Sequence, residues 1–308
     1  MKIYYTDHFV LPLPAGHRFP MEKYALLRNR IAAAGILPPH ELHAPAPAND
    51  AALLRVHTAR YVENVVHGML TPAEARRIGF PWSEALVERS RRSVGATIAA
   101  ARSALECGFG VNLAGGTHHA HADHGEGFCV FNDVAVAVRA LQAERCAARI
   151  AVIDCDVHQG NGTAAIFSGD DDVFTFSVHA EGNFPFNKER SDLDIALADG
   201  AGDGEYLDAV RTGLAAALGS GPVDHVFYVA GADPYSGDRL GRLAVSKGGL
   251  AERDRIVFDQ CTAAAVPVTV VMSGGYARVI EETVDIHAHT VLEAAACSSA
   301  ATAVNTSL

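Results

Sequence analysis

Three residues of this 308-residue chain, Asp156, His158 and Asp233, are of the types that together hold a divalent metal ion. Asp156 and His158 lie two apart in DCDVHQGNG (154–162), so in an extended segment their side chains leave on one side. Asp233 follows a separate apolar run, HVFYVAG (225–231). Two carboxylates and one imidazole suit zinc with a coordination position left open, the catalytic rather than the structural arrangement. An acidic turn capping a neighbouring helix would use the same residues, so this motif does not decide the matter alone.

Other reactive residues accompany it. His118 and His119 follow a glycine turn, and adjacent histidines point in different directions. They read as two proton-transfer groups beside the metal rather than as a chelating pair. Each needs a partner on its far ring nitrogen, and Asp154 and Asn161, from the segment carrying the metal ligands, are the candidates. A carboxylate partner raises imidazole basicity and an amide does not, so the two histidines need not titrate alike. HHAHADH (118–124) could also bind metal as a histidine-rich tract, but that leaves Asp156, His158 and Asp233 unexplained. Tyr276 follows Gly274 and Gly275, and its phenol could stabilise a carbonyl oxygen as it becomes an oxyanion. Phe128, in GEGFCVFND (125–133), could wall a channel for a slim aliphatic chain; as a lone residue, core packing explains it better.

The elements that must position these residues alternate. Short apolar runs at 111–116, 148–156, 173–179, 225–231 and 266–275 read as strands. Helices are expected at 21–34, from Ser83 to about 107, and at 131–145, 204–218, 247–265 and 277–297. Continuous apolar strands separated by helices indicate a parallel sheet covered on both faces, an α/β fold. In such sheets ligands bind beyond the carboxyl ends of the strands, where every reactive residue named above falls. No Pro-, Gly- or Ser-rich linker divides the chain, so one domain over residues 1–308 is expected.

Composition bounds the function. A formal net charge of -11 argues against nucleic acid or an anionic membrane as the main partner and suits a lysine-bearing or polyamine substrate. The six cysteines form no CxxC pair, which points to a reducing cytoplasm. MKIYYTDHF lacks the apolar core of a secretion signal, and no run approaches the ~20 apolar residues of a membrane span. His40, His43, His287 and His289 read as surface or packing residues.

Taken in order, GGTHHAHADHGEGFCVFND, VIDCDVHQGNGT, FSVHAEGNFPF, VAGADPYSGDRLG and MSGGY resemble the histone deacetylase family of zinc-dependent amidohydrolases. GHRFPMEKY (16–24), RRIGFPWSEALVERS (76–90) and the short SGG before Tyr276 resemble its class IV branch. The resemblance implies the arginase/deacetylase fold, a parallel sheet of about eight strands between helices. It implies zinc, with ferrous iron as the alternative, on Asp156, His158 and Asp233. His118 and His119 become the tandem acid/base histidines, oriented by Asp154 and Asn161; some members carry Asp at the latter position. Tyr276 becomes the oxyanion-stabilising tyrosine. Phe128 and Gly127 join Phe184, with Phe186 the second choice, in lining an acyl-lysine tunnel. A structural potassium ion would sit on Asp154, the Ser177 hydroxyl and backbone oxygens of Asp156, His158 and Val178.

The implied activity is hydrolysis of N-acyl amides, acetyl-lysine first, with longer acyl groups open. Acylated polyamines are the nearest alternative, although the loop insertions of acetylpolyamine-specific relatives are not evident. An arginase-like two-manganese enzyme is disfavoured by Asn161 and by the lack of a DxD in GADPYSGD. A non-catalytic scaffold should have lost one of Asp156, His158, Asp233, His119 or Tyr276, and all five are present.

Overall fold

A computed structural model describes residues 1–35 and 41–305. His40 lies outside the described residues. The elements run β1 (Lys2–Tyr4), α1 (Lys23–Ala34), β2 (Leu42–His43), α2 (Asp50–Leu53), α3 (Ala59–Val66), α4 (Pro72–Ile78), α5 (Glu84–Cys107), β3 (Phe109–Asn112) and α6 (Asp133–Ala143). They continue with β4 (Ile150–Asp154), α7 (Asn161–Phe167), β5 (Val173–Ala180), β6 (Leu193–Leu197), α8 (Asp203–Gly219), β7 (His225–Val229), α9 (Lys247–Ala263), β8 (Val268–Val271) and α10 (Ile280–Asn305).

The strands form one eight-stranded sheet in the order β2-β1-β3-β8-β7-β4-β5-β6, and every pairing is parallel. This is the expected α/β architecture, with three more strands than the apolar runs revealed. Two of them, β1 and β2, are only three and two residues long. The third, β6, is a half-buried edge strand that carries Asp194, so it presents no continuous apolar run.

Alternation along the central strands divides the core between the two faces of the sheet. Ala151 and Ile153 of β4, with Val226 and Tyr228 of β7, pack on one side with α8, α9 and α10. Ile150 and Val152, with Phe227 and Val229, pack on the other with α5 and α6. Each Val, Ile or Phe among them, fully buried, contributes ~1.5–3 kcal/mol relative to exposure. The long helix α5 starts where Ser83 accepts a hydrogen bond from the Leu86 N–H (3.1 Å), as the sequence predicts. No helix among the described residues is long and apolar enough to cross a membrane.

Because all strands run one way, the segments after β3, β4, β5, β7 and β8 emerge at the same edge. β3, β8, β7 and β4 are consecutive neighbours in the sheet but far apart in sequence. The fold therefore gathers residues 115–119, 154–161, 231–233 and 273–276.

Candidate active site

Strand β4 ends at Asp154, two residues earlier than the apolar run suggests. Asp156 and His158 consequently meet through a turn and not through extended alternation. The His158 backbone N–H (2.9 Å) and ring Nδ1 (3.0 Å) both lie on Asp156 Oδ1. Asp233 reaches them from the end of β7, its Oδ1 accepting from the Val157 N–H (3.0 Å) and its Oδ2 3.2 Å from His158 Nδ1. One ligand atom from each of Asp156, His158 and Asp233 lies within 4.8 Å of the others, a candidate metal site.

The electrostatics of this trio call for a cation. Burial opposes a charged His158, yet Asp156 and Asp233 outweigh it and raise its pKa to about 10. Burial, reinforced by the Asp156 charge, pushes Asp233 up to about 7. Burial also opposes ionised Asp156, but His118 and His158 hold it well below the usual carboxylate range. Asp233 Oδ2 is buried without a hydrogen bond. A Cβ at Gly274 would collide with this oxygen and sit 2.7 Å from Asp156 Oδ2. Only glycine lets the MSGGY loop pass here, and it leaves the carboxylates an open face. The donors present thus fit a single divalent ion.

The histidines have the partners expected for them. His118 Nδ1 donates to Asp154 Oδ2 (2.7 Å), and His119 Nδ1 donates to Asn161 Oδ1 (2.7 Å). Burial lowers His118, but the Asp154 and Asp156 carboxylates more than compensate and bring it to about 9. Burial, and the charges of His118 and His158, hold His119 well below the usual histidine range. The two imidazoles are thus shifted in opposite directions, His118 up and His119 down. Asn161 passes the contact on, its amide N–H donating to Glu126 Oε1 (2.6 Å), so an amide stands between His119 and a carboxylate.

Tyr276 lies over the same site. Burial, with Asp233 and Asp156 nearby, keeps its phenol protonated well above the usual range. Its hydroxyl has no hydrogen-bond partner among the described residues, while its backbone is fixed. The Tyr276 N–H donates to Asp238 Oδ2 (2.6 Å), and its carbonyl accepts from Arg239 Nε (2.9 Å). Above these groups opens a cavity of about 630 Å³, whose lining includes Gly127, Phe128, Phe184 and Phe186. Phe128 (φ 67°) packs with Phe19, Phe80 and Tyr276. Phe184 stands edge-on to His119, ring centroids 4.9 Å apart, whereas Phe186 is 82% exposed at the rim. A Cβ at Gly127 would sit 2.7 Å from His119 Cδ2 and 3.0 Å from Phe184 Cε1, so glycine keeps that passage clear. Ser177, paired with Asp154 across β4 and β5, is buried, and its hydroxyl lies 2.9 Å from His179 Nδ1. Val178 follows it on β5.

Several positioning residues escape the sequence reading. Asp238 also accepts from the N–H groups of Leu240 (2.8 Å) and Gly241 (3.0 Å), bracing the loop after Asp233. Its only signal is an acidic residue inside SGDRLG. Ser273 Oγ and the Gly274 N–H donate to Asp156 Oδ2 at 2.8 and 2.9 Å. Lys23 of α1 is buried, donates to the Ser273 carbonyl (3.0 Å) and stands 5.5 Å from the Tyr276 ring centroid. Arg253, fully buried on α9, donates to the Gly231 carbonyl (2.5 Å) just ahead of Asp233. Nothing in the local sequence marks either cation as buried. Of the histidines expected to be surface or packing residues and lying among the described residues, His287 is buried in packing, His289 is exposed and His43 is half-buried.

A histone deacetylase domain model matches residues 17–291. The chain belongs to the histone deacetylase family. It is 46% identical over 294 residues to an uncharacterised protein of Picosynechococcus sp., covering 96% of this chain and 97% of that one. It is 31% identical to the histone deacetylase-like amidohydrolase of Pseudomonas aeruginosa, over 87% of this chain and 74% of the relative. Arabidopsis thaliana histone deacetylase 2 is 29% identical, over 87% and 73%. The crystal structure of an HDAC homolog complexed with SAHA superposes with a TM-score of 0.84 at 26% identity, over 96% of this chain and 84% of that one. The deacetylase fold thus agrees with the strand order, and the candidate metal site lies at the carboxyl edge of its sheet.

Proposed function

We propose that this chain is a zinc-dependent deacylase that hydrolyses acyl-lysine side chains, acetyl-lysine first, as a single-domain class IV-like member of its family. The observation that carries the proposal is the unequal histidine pair, one bonded to a carboxylate and the other to an amide, beside three convergent metal ligands. When bound by Asp156, His158 and Asp233, the metal supplies a Lewis acid and lowers the pKa of water.

The chain's own residues divide the remaining work. Neutral His119 accepts the proton of the attacking water. The Tyr276 hydroxyl donates to the carbonyl oxygen as negative charge develops on it. His118, kept protonated by Asp154, supplies a proton to the departing amine and regains one as His119 gives up the proton it took from water, so amide and water become carboxylate and ammonium. Phe128, Gly127 and Phe184 guide the acylated stem and exclude water from it. Asp154, Ser177 and Val178 would hold a structural potassium ion.

The test is turnover of one lysine peptide carrying acetyl or progressively longer acyl groups, by wild-type protein and by Tyr276→Phe. Release of acetate by wild type, lost in the variant with metal content retained, supports the reading. An unchanged rate in the variant removes Tyr276 from the mechanism.

A further inference from the structure

The mouth of the cavity carries charge opposite in sign to the molecule as a whole. Arg18, Arg76, Arg77, Arg239 and Arg242 line it, and among the described residues its only lining carboxylates are Asp156 and Asp233, at the floor. A chain with 36 acidic and 25 basic side chains thus places five arginines around one opening. They come from the segment before α1, the last turn of α4, and the loop after β7.

Several arginines away from the mouth are engaged by carboxylates, although others, such as Arg55 and Arg145, are not among the described residues. Arg102 is paired with Glu144 and Arg92 with Glu88. At the mouth, Arg242 is paired with Asp199 (2.9 Å). Among the described residues, Arg18, Arg76, Arg77 and Arg239 have no carboxylate within ion-pair distance. Glu74, the acidic neighbour on α4, is taken up by the Thr71 N–H and hydroxyl at 2.7 Å each. Lys188 adds to the positive side, its ammonium gathering the carbonyls of Asn183 (2.8 Å) and Pro185 (2.6 Å) around the Phe184 loop. Arg239 is tied through Nε to the Tyr276 carbonyl, and Asp238 braces the loop that carries Arg239 and Arg242. That part of the mouth is therefore fixed relative to the reacting groups.

Exposed guanidinium groups around a concave opening form an anion-receiving surface, because their fields add there and each offers a planar fork of donors. We propose that this mouth selects acylated amines whose amine side carries a carboxylate or phosphate near the scissile amide, and discriminates against acylated polyamines and acyl-lysines in basic sequence. The proposal rests on the deacylase reading and deepens it. It also reverses the substrate charge suggested by the net charge of -11, which averages over a surface that the substrate never touches.

The experiment compares acetyl-lysine peptides of one length, flanked by glutamates, glutamines or lysines, with free Nε-acetyl-lysine and acetylspermidine, all on metal-loaded protein. We expect kcat/KM to fall from the glutamate to the glutamine to the lysine peptide, spanning at least about tenfold at low salt and shrinking as salt screens the field. In the double variant Arg76→Glu, Arg77→Glu the order inverts. Preference for free acetyl-lysine over the glutamate peptide would assign the anion to the substrate's own carboxylate. Equal turnover of acidic and basic peptides, or preference for acetylspermidine, overturns the proposal while leaving the deacylase intact. Anisotropy of the labelled peptides on Tyr276→Phe protein reads the mouth without chemistry. Tighter acidic binding to a protein whose wild type turns over nothing would keep this inference and sink the deacylase reading.

Discussion

At the floor of the cavity, Asp156, His158, Asp233, His118 and His119 are each at most 9% exposed, and each has a hydrogen-bond partner in residues 154–161, between the end of β4 and the start of α7. At the mouth, Arg18, Arg76, Arg77 and Arg239 are exposed and unpaired with carboxylates among the described residues. The floor spends its charges on one another and on a cation. The mouth leaves its charges free for whatever arrives. Buried charges this close govern reactivity, because low dielectric makes each neighbour count. Exposed charges act through a screened field and govern selection. Substitutions at the floor should therefore change the rate for every substrate, and substitutions at the mouth should change which substrate is preferred.

The comparison breaks first, and by most, at the metal ligands. His158→Ala or Asp233→Ala should abolish metal binding and reduce turnover to background, with circular dichroism still showing the fold. A variant that keeps its metal would remove that residue from the ligand set. Tyr276→Phe comes next, with a loss of about 10²–10³ in kcat from one oxyanion donor. Its KM and metal content should hold steady; a change confined to KM would move Tyr276 from floor to mouth in its effect.

Asn161→Asp sharpens the comparison within the floor itself. A carboxylate in place of the amide raises the His119 pKa, typically by 1–3 units for such a neighbour. His119 acts as the neutral base, so the acid limb of the kcat–pH profile should move to higher pH. A limb that stays in place would mean that His119 is not the base. The smallest effect lies behind the floor, at His57. Its Nδ1 donates to the His121 carbonyl (3.0 Å) and its Nε2 accepts the Asn132 N–H (3.0 Å), so it is buried neutral. Burial depresses its pKa from 6.5 to about 4. Between those values the unfolded chain binds the proton and the folded chain does not, so stability falls as pH drops from 6.5 and the loss levels off below 4. By pH 5 this one histidine costs about 2 kcal/mol. Urea denaturation at pH 7 and pH 5 reads it, and a smaller acid loss should follow in His57→Gln; equal losses would contradict the assignment.

The floor was legible in the sequence because its chemistry is local. DCDVH, THH and SGGY each place reactive types within a few residues, and a parallel sheet has one edge at which they can meet. The turn joining Asp156 to His158 was not legible, because spacing alone cannot tell a strand from the turn that ends it. Short edge strands such as Lys2–Tyr4 and Leu42–His43 carry too few residues to show a period. Helix α7, seven residues long, begins directly after the metal-ligand turn and has no side-chain cap to announce it. The mouth was illegible for a different reason: its arginines come from three distant segments, and each alone reads as a solvated surface charge.

The most direct test of the central claim is a titration of zinc into metal-stripped protein while acetate release from an acetyl-lysine peptide is followed. The account predicts no release without metal and a linear rise that ends at one equivalent per chain. Release by stripped protein, a requirement for two equivalents, or inert protein at full loading would contradict it.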